Sequence, residues 1–340
     1  MHRIDLRSDT VTMPTPDMLQ AMMLARVGDD VYGEDESVIE LQQYCAQLFG
    51  MEDALFCPSG TMTNQVAIRV HTRPGDEVVC ADNAHIYKYE GGGIASNSGV
   101  QAKLLPSTYG LIAAEQLVHA INADDPHFPR TTLVCLENTS NRGGGSFYTL
   151  HQIQQIADTC RAHNLKLHLD GARVFNAMIA GAYSATDLGK MFDSISICLS
   201  KGLGAPVGSV LLGKKDFIHE AKRVRKVFGG GMRQAGYMAA CGMYALQNHI
   251  HRLADDHRHA SQVTEQLAQQ SFVKHVMPVQ TNIVIFQLTD EQTATRFLHH
   301  LKQDNVWANK VSPDSIRFVF HLDVSQQMVS QIIDTIHRFE

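Results

Sequence analysis

No stretch of this sequence approaches the roughly 18 consecutive apolar residues that a membrane-spanning helix needs, and its start, MHRIDLRSDT, has no apolar signal core. A cytoplasmic protein is expected. No C-x-x-C pair occurs among the seven scattered cysteines (Cys45, Cys57, Cys80, Cys135, Cys160, Cys198, Cys241), which disfavours a zinc site or a redox couple. Most lie in apolar runs such as LVCLEN and ISICLS and read as reduced, buried thiols. Positive charge is not in excess either: 29 Lys and Arg against 35 Asp and Glu give a net charge of -6, no field to hold a phosphodiester backbone. A nucleic-acid partner is not expected, and small-molecule chemistry gains weight. Internal repeats and low-complexity tracts are absent as well. What remains is ordinary globular composition, 44% hydrophobic and 19% charged. At roughly 150 residues per domain, 340 residues suggest about two domains.

Local signals give an order of elements. Thr15-Pro16 suits a helix start, with Thr as cap and Pro in the first turn. Ser37 followed by Glu40 reads as a capping box before VIELQQYCAQLFG, with Gly50 as the left-handed stop. Short apolar runs then alternate with helical patterns: ALFC at Ala54–Cys57, EVVCA around Val78, KLL near Leu104, TLVCLE near Val134, LKLHL near Leu167, SISICL near Ile195 and SVLLG near Val210. Strands alternating with helices predict a mostly parallel seven-stranded sheet in an α/β/α sandwich. A long helix is predicted over Arg233–Leu246. The order then changes, with strands at Asn282–Leu288 and Ser315–Leu322 and the amphipathic ATRFLHHLKQ between them, so residues 1–250 are expected to form a large domain and 251–340 a smaller α+β domain.

In open parallel sheets ligands bind beyond the carboxyl ends of the strands, and three such ends carry chemistry. FCPSGTMTN runs from a strand through Ser59-Gly60-Thr61 into a helix, an arrangement that suits either an anion at a helix N-terminus or an ordinary turn. LHLDGAR puts Asp170 directly after a strand, with Arg173 one turn on. ICLSKGLGAPVGS puts Lys201 after an apolar strand among glycines, where a desolvated amine could condense with an aldehyde, although a surface lysine fits the residue taken alone. Together they supply an anion cradle, an imine-forming amine and an acid that keeps a pyridine nitrogen protonated, the needs of an aromatic aldehyde phosphate. The βαβ spacing of Asp170 and Lys201 places both at one sheet edge.

LRSDTVT, GDDVYGED, PSGTMTNQ, HIYKYE, CLENT, LHLDGAR, CLSKGLGAPVGS and FGGGMRQAG together resemble the low-specificity L-threonine aldolases, from Asp5 to about Leu246, and SIRFVFHLDVS continues the likeness. The resemblance implies a fold type I enzyme dependent on pyridoxal 5'-phosphate. It also implies cleavage of β-hydroxy amino acids to glycine and an aldehyde, in a homotetramer with active sites at dimer interfaces. Ser59, Gly60, Thr61, Ser200 and Arg233 match cofactor contacts, with Lys201 as the Schiff-base lysine and Asp170 on the ring nitrogen. Ser8, Arg173 and Arg317 match binders of the substrate carboxylate, a task suited to the planar guanidinium fork, and Arg173 also counts among the cofactor contacts. His85 matches the histidine stacked on the cofactor. His127, in DDPHF, matches one directed at the substrate hydroxyl, although the same segment reads equally as a capped surface turn. Lys226 and Arg233 match residues near the carboxylate and phosphate that reach the site from a neighbouring subunit. One departure stands out: Ser140 replaces the usual histidine of ENTHNG, and Gly143-Gly144-Gly145 follows.

No metal is expected. The densest histidine cluster, HIHRLADDHRHA at His249–Ala260, has helical spacing that predicts a solvated face. The triplets at Gly91–Gly93 and Gly229–Gly231 lack a dinucleotide-binding setting and read as turns. Another lyase or transaminase on the same scaffold, or a binding protein that has lost the cofactor, are the rival readings.

Overall fold

The computed structural model describes residues 3–340. After a short strand β1 (Ile4–Asp5), the seven predicted apolar runs all form strands: β2 (Asp53–Cys57), β3 (Glu77–Ala81), β4 (Gln101–Leu105), β5 (Thr131–Glu137), β6 (Lys166–Gly171), β7 (Ser194–Cys198) and β8 (Ser209–Gly213). They make one sheet in the order β2-β8-β7-β6-β5-β3-β4. Only β8 is reversed, pairing antiparallel with both β2 and β7. Period-two alternation sends Ala54, Phe56, Val210 and Leu212 into one core, and Leu55, Cys57 and Leu211 into another with Val66 and Ile218. Both faces are covered, which is why these strands read as continuous apolar runs.

Thr15 caps the first helix as expected, accepting from the Met18 N–H at 3.3 Å, and Gly50 closes the next helix in the left-handed region. The cap of that second helix is Asp35 rather than Ser37. Asp35 Oδ1 accepts from the Val38 N–H at 3.1 Å, while Ser37 Oγ turns to the backbone of Arg26. Asp35 Oδ2 also holds the Gly236 N–H at 2.8 Å. That contact marks the start of the helix Gly236–Asn248, three residues later than the sequence pattern suggests.

β9 (Val273–Val276), β10 (Ile283–Leu288), β11 (Val306–Trp307), β12 (Asn309–Ser312) and β13 (Ser315–Val319) complete the strands. β12-β13-β10-β9 form an antiparallel sheet, and Phe286, Phe297, Phe318 and Phe320 pack in a second core. β1 pairs in parallel with β11, and Ile4 and Leu6 lie in this same core. Under the proposed division into residues 1–250 and 251–340, β1 is therefore a segment of the first range packed in the second core. From there the chain crosses to residues 8–12, which lie beside the sheet edge that carries the site.

The solvated face expected for His249–Ala260 is only part of the segment: His251 and Arg258 are exposed, but other members of the cluster turn inward. Asp256 and His259 are buried on the helix Leu253–Leu267, which packs against the helices Val174–Gly181 and Gln326–His337. Helical spacing alone cannot tell a wet face from one packed on two neighbours. Burial brings the Asp256 carboxyl up to about 6 even though Arg252 pairs with it.

Candidate active site

Five strand ends meet at one sheet edge, and each delivers polar groups there. β6 ends with Asp170 in register with Glu137 of β5 on one side and Ser196 of β7 on the other. Past β7, residues 199–208 fold straight back into β8, so half-buried Lys201 is held at the edge by a turn in which the Gly204 N–H donates to the Lys201 carbonyl at 2.8 Å. Gly204 has a φ of 81°, a backbone conformation that favours glycine.

Asp170 is buried and meets only neutral donors. Oδ1 accepts from the Ala172 N–H at 3.1 Å and Oδ2 from Asn64 Nδ2 at 3.0 Å. Behind Asn64 lies a buried polar chain: Asn64 Oδ1 is 3.1 Å from His168 Nε2, and Ser194 Oγ lies 2.8 Å from both His168 Nδ1 and His71 Nε2. Burial brings His168 down to about 3 and His71 to about 4, so both rings are neutral. Among the described residues Asp170 thus has no Lys or Arg partner, and a protonated pyridine nitrogen is the partner its carboxylate would fit.

The remaining ends frame that position. His85, after β3, is fixed at both its backbone and its ring: its N–H donates to Glu137 Oε2 at 2.8 Å, and its Nδ1 lies 3.0 Å from Glu90 Oε1. Burial works against a charged His85 ring, but Glu90, Asp170 and Glu137 outweigh it and raise its proton affinity. Glu137, wholly buried beside Asp170, is itself pushed up by burial. At the end of β2, Ser59 Oγ caps the helix Gly60–His71 by accepting from the Met62 N–H, leaving the Gly60 and Thr61 N–H groups free of acceptors in the described chain. A Cβ at Gly60 would meet Cys198 Sγ at 2.5 Å, so glycine permits this close approach to β7. Free N–H groups at a helix start fit a phosphate.

Two guanidinium groups complete the site. Arg173 is buried and its fork is filled by Asp9, with Nε and Nη2 each donating at 2.7 Å. Burial pushes the Asp9 carboxyl up, but Arg173, with lesser help from Lys201 and His321, leaves it at about 2. Among the described residues Arg317 has no acidic partner. Its Nη1 donates to Asn141 Oδ1 at 2.7 Å and its Nη2 to the Arg7 carbonyl at 3.0 Å, while its buried Nε bonds nothing. Burial and the nearby charge of Arg173 bring it down to about 10. Beside a neutralised Arg173, this leaves one net positive charge with open donors, matched to a monoanionic carboxylate.

The model of the beta-eliminating lyase family matches residues 5–291. A low-specificity L-threonine aldolase of Escherichia coli O157:H7 is 44% identical over 330 residues, 97% of each chain. Low-specificity L-threonine aldolase 1 of Arabidopsis thaliana is 40% identical over 96% of this chain and 93% of its own. The chain belongs to the threonine aldolases of the beta-eliminating lyase family. The solved threonine aldolase of Leishmania major shares its fold with a TM-score of 0.87, at 21% identity over 98% of this chain and 99% of that one. A putative L-allo-threonine aldolase of Listeria monocytogenes gives 0.83 at 21% identity over 99% and 96%. This lyase is a fold type I enzyme, and its cofactor is pyridoxal 5'-phosphate.

In the aldolase, Ser59, Gly60, Thr61, His85, Asp170, Arg173, Ser200, Lys201 and Arg317 fall on the strand ends and facing segments just described, with Ser8 next to Asp9. Ser8 Oγ caps a turn by accepting from the Thr10 N–H at 3.2 Å. His127 does not join them. It precedes β5, whereas Glu137 ends it, and seven residues at about 3.3 Å each separate the two edges by about 20 Å. His127 is instead exposed in a turn with Asp125, 2.7 Å from its Nδ1. The predicted strand order already implies this, since DDPHF precedes TLVCLE and so falls at the amino edge of a parallel sheet, and within this chain the segment is a surface turn. Lys226 and Arg233 are exposed too, Arg233 pairing with Asp29. Ser140, in place of the usual histidine, bonds within its loop, its Oγ accepting from the Gly143 N–H at 3.1 Å.

Sequence reasoning missed Asp9, Asn64, Glu90 and Glu137. All four lie inside the resemblance motifs LRSDTVT, PSGTMTNQ, HIYKYE and CLENT; the partners of Asp9 and Asn64 are distant in the chain, whereas the His85–Glu90 pair lies five residues apart within HIYKYE, where the local spacing could have found it.

Proposed function

We propose that the site cleaves threonine, allo-threonine and related β-hydroxy amino acids to glycine and an aldehyde. The observation that carries this is the placement of Asp170 at the end of β6 and Lys201 just past neighbouring β7, with Arg317, whose buried Nε is unfilled, near the Arg173–Asp9 pair. When bound, pyridoxal phosphate supplies an aldehyde for the substrate amine and a ring that accepts the electron pair of the Cα–Cβ bond. Lys201 would hold it, with Ser59, Gly60, Thr61 and Ser200 toward its phosphate. Asp170 keeps a proton on the ring nitrogen. Arg317 and the Nη1 edge of Arg173 orient the substrate carboxylate, with Ser8 nearby, so that the scissile bond stands perpendicular to the ring. His85 is the histidine within the chain's own site that can cover the ring and take the hydroxyl proton.

His127, Lys226 and Arg233 would then serve a neighbouring subunit's site in a homotetramer. Exposed Met23, Leu24, Tyr32 and Val227 support such an interface, since apolar surface of this kind is often covered by a partner. A cytoplasmic location is supported by seven buried, unpaired thiols. Product analysis tests the reaction. Glycine with acetaldehyde from threonine is expected, whereas an oxo acid with ammonia would replace this reading by β-elimination.

A further inference from the structure

The group behind His85 is built beyond what ring stacking requires. The Glu90 side chain is fully buried, yet it meets no Lys or Arg among the described residues. Its Oε1 lies 3.0 Å from His85 Nδ1 and 2.9 Å from Asn64 Nδ2, and its Oε2 accepts from Gln65 Nε2 at 2.7 Å. The same Asn64 nitrogen donates to Asp170 Oδ2. The segment is held tightly as well: Gly91 and Gly92 have φ of 63° and 73°, and a Cβ at Gly93 would meet the Gln65 amide at 2.5 Å. A carboxylate can only accept, so Nδ1 carries a proton, and in the neutral ring Nε2, which has no partner in the described chain, presents a lone pair.

We propose that Glu90 is the positioning residue of a His85–Glu90 dyad, fixing the tautomer in which His85 Nε2 takes the substrate's hydroxyl proton, and that Asn64 ties this dyad to Asp170. The inference rests on the aldol-cleavage reading of the site. In the step it serves, the O–H bond breaks and an N–H bond forms at Nε2. The oxygen's electron pair becomes the second bond of the aldehyde carbonyl, and the Cα–Cβ pair departs toward the bound cofactor. The imidazolium formed is stabilised by Glu90 and returns its proton to solvent before the next turnover. The ionisable groups facing the ring are Glu90, Glu137 of β5, Asp170 of β6 and Tyr89, whose ring centroid is 5.6 Å away. All three acids act in the same sense, favouring a protonated ring.

The test is an NMR titration of the histidine rings in the full-length protein, with and without pyridoxal phosphate, His85→Phe identifying the His85 signal. In Glu90→Gln the His85 titration is expected to move to lower pH by about 1 to 3 units, the usual effect of losing a neighbouring opposite charge. The acid limb of kcat/KM for threonine should move with it, and kcat should fall about ten- to a hundredfold while cofactor affinity changes little. If Glu90→Gln does not fold, Glu90→Asp is read in the same way and should give a smaller shift of the same sign. An unmoved His85 titration in the variant that folds overturns the dyad, as does a shifted titration with an unmoved acid limb. Absence of threonine cleavage by the unaltered protein would instead overturn the proposed reaction, and the ring titration would still decide whether Glu90 governs His85.

Discussion

Asp9 grips Arg173 through two parallel hydrogen bonds of 2.7 Å, with both side chains almost wholly buried and 164 residues apart in sequence. The pair orients one guanidinium and cancels its charge. Removing the carboxylate leaves a buried cation uncompensated, a change that costs about 3–5 kcal/mol. Asp9→Asn is therefore expected to lower stability by about that much and to raise KM for threonine, as read by thermal unfolding and initial rates. The Asp9 carboxyl is held at about 2, below its unfolded value, so its stabilisation is present above about pH 4 and is lost as pH falls toward 2. Acid unfolding of Asp9→Asn should lack that contribution, and an unchanged acid transition would count against this account.

Lys201 is expected to be the residue labelled when the holoenzyme is reduced with borohydride and its peptides are mapped. Lys201→Ala should still bind cofactor through the phosphate contacts but lose turnover. Label on another lysine would reassign the Schiff-base residue.

Arg317 holds a buried Nε without a partner among the described residues, and the substrate carboxylate proposed for it would accept in charge-assisted fashion. Such bonds contribute about 1.5–3 kcal/mol, so Arg317→Lys should raise KM for threonine by roughly ten- to a hundredfold and lower kcat through misorientation. Normal binding of glycine and threonine by Arg317→Lys would remove the small lobe from the substrate site.

His127 lies on the far sheet edge of its own chain, so any catalytic part it plays must be in a neighbour's site. His127→Phe is then expected to alter the ratio of kcat/KM for threonine and allo-threonine without altering cofactor affinity. Oligomers reassembled from His127→Phe and Lys201→Ala chains should recover part of the original ratio, because some sites then combine an intact lysine with an intact histidine. Both epimers cleaved at the original rates by His127→Phe would leave it as a surface residue.

The sequence by itself determined the strands and what stands at their ends. LKLHL from Leu167 onward and the whole of SISIC are buried, His168, Ser194 and Ser196 included, because both sheet faces are covered, and short-range chemistry puts Asp170 at the end of the one and Lys201 just past the other. Tertiary structure decided which of the many polar residues near such ends meet. Asn64 reaches Asp170 across 106 positions and Arg173 reaches Asp9 across 164, and these pairings arise from crossovers that no local pattern records. The contrast between two histidines divides the same way. His85 follows the carboxyl end of β3 while His127 precedes the amino end of β5. Parallel strands send those loops to opposite edges of one sheet, a distinction that strand order already implied, whereas the partners that meet His85 there were fixed only when the strands assembled.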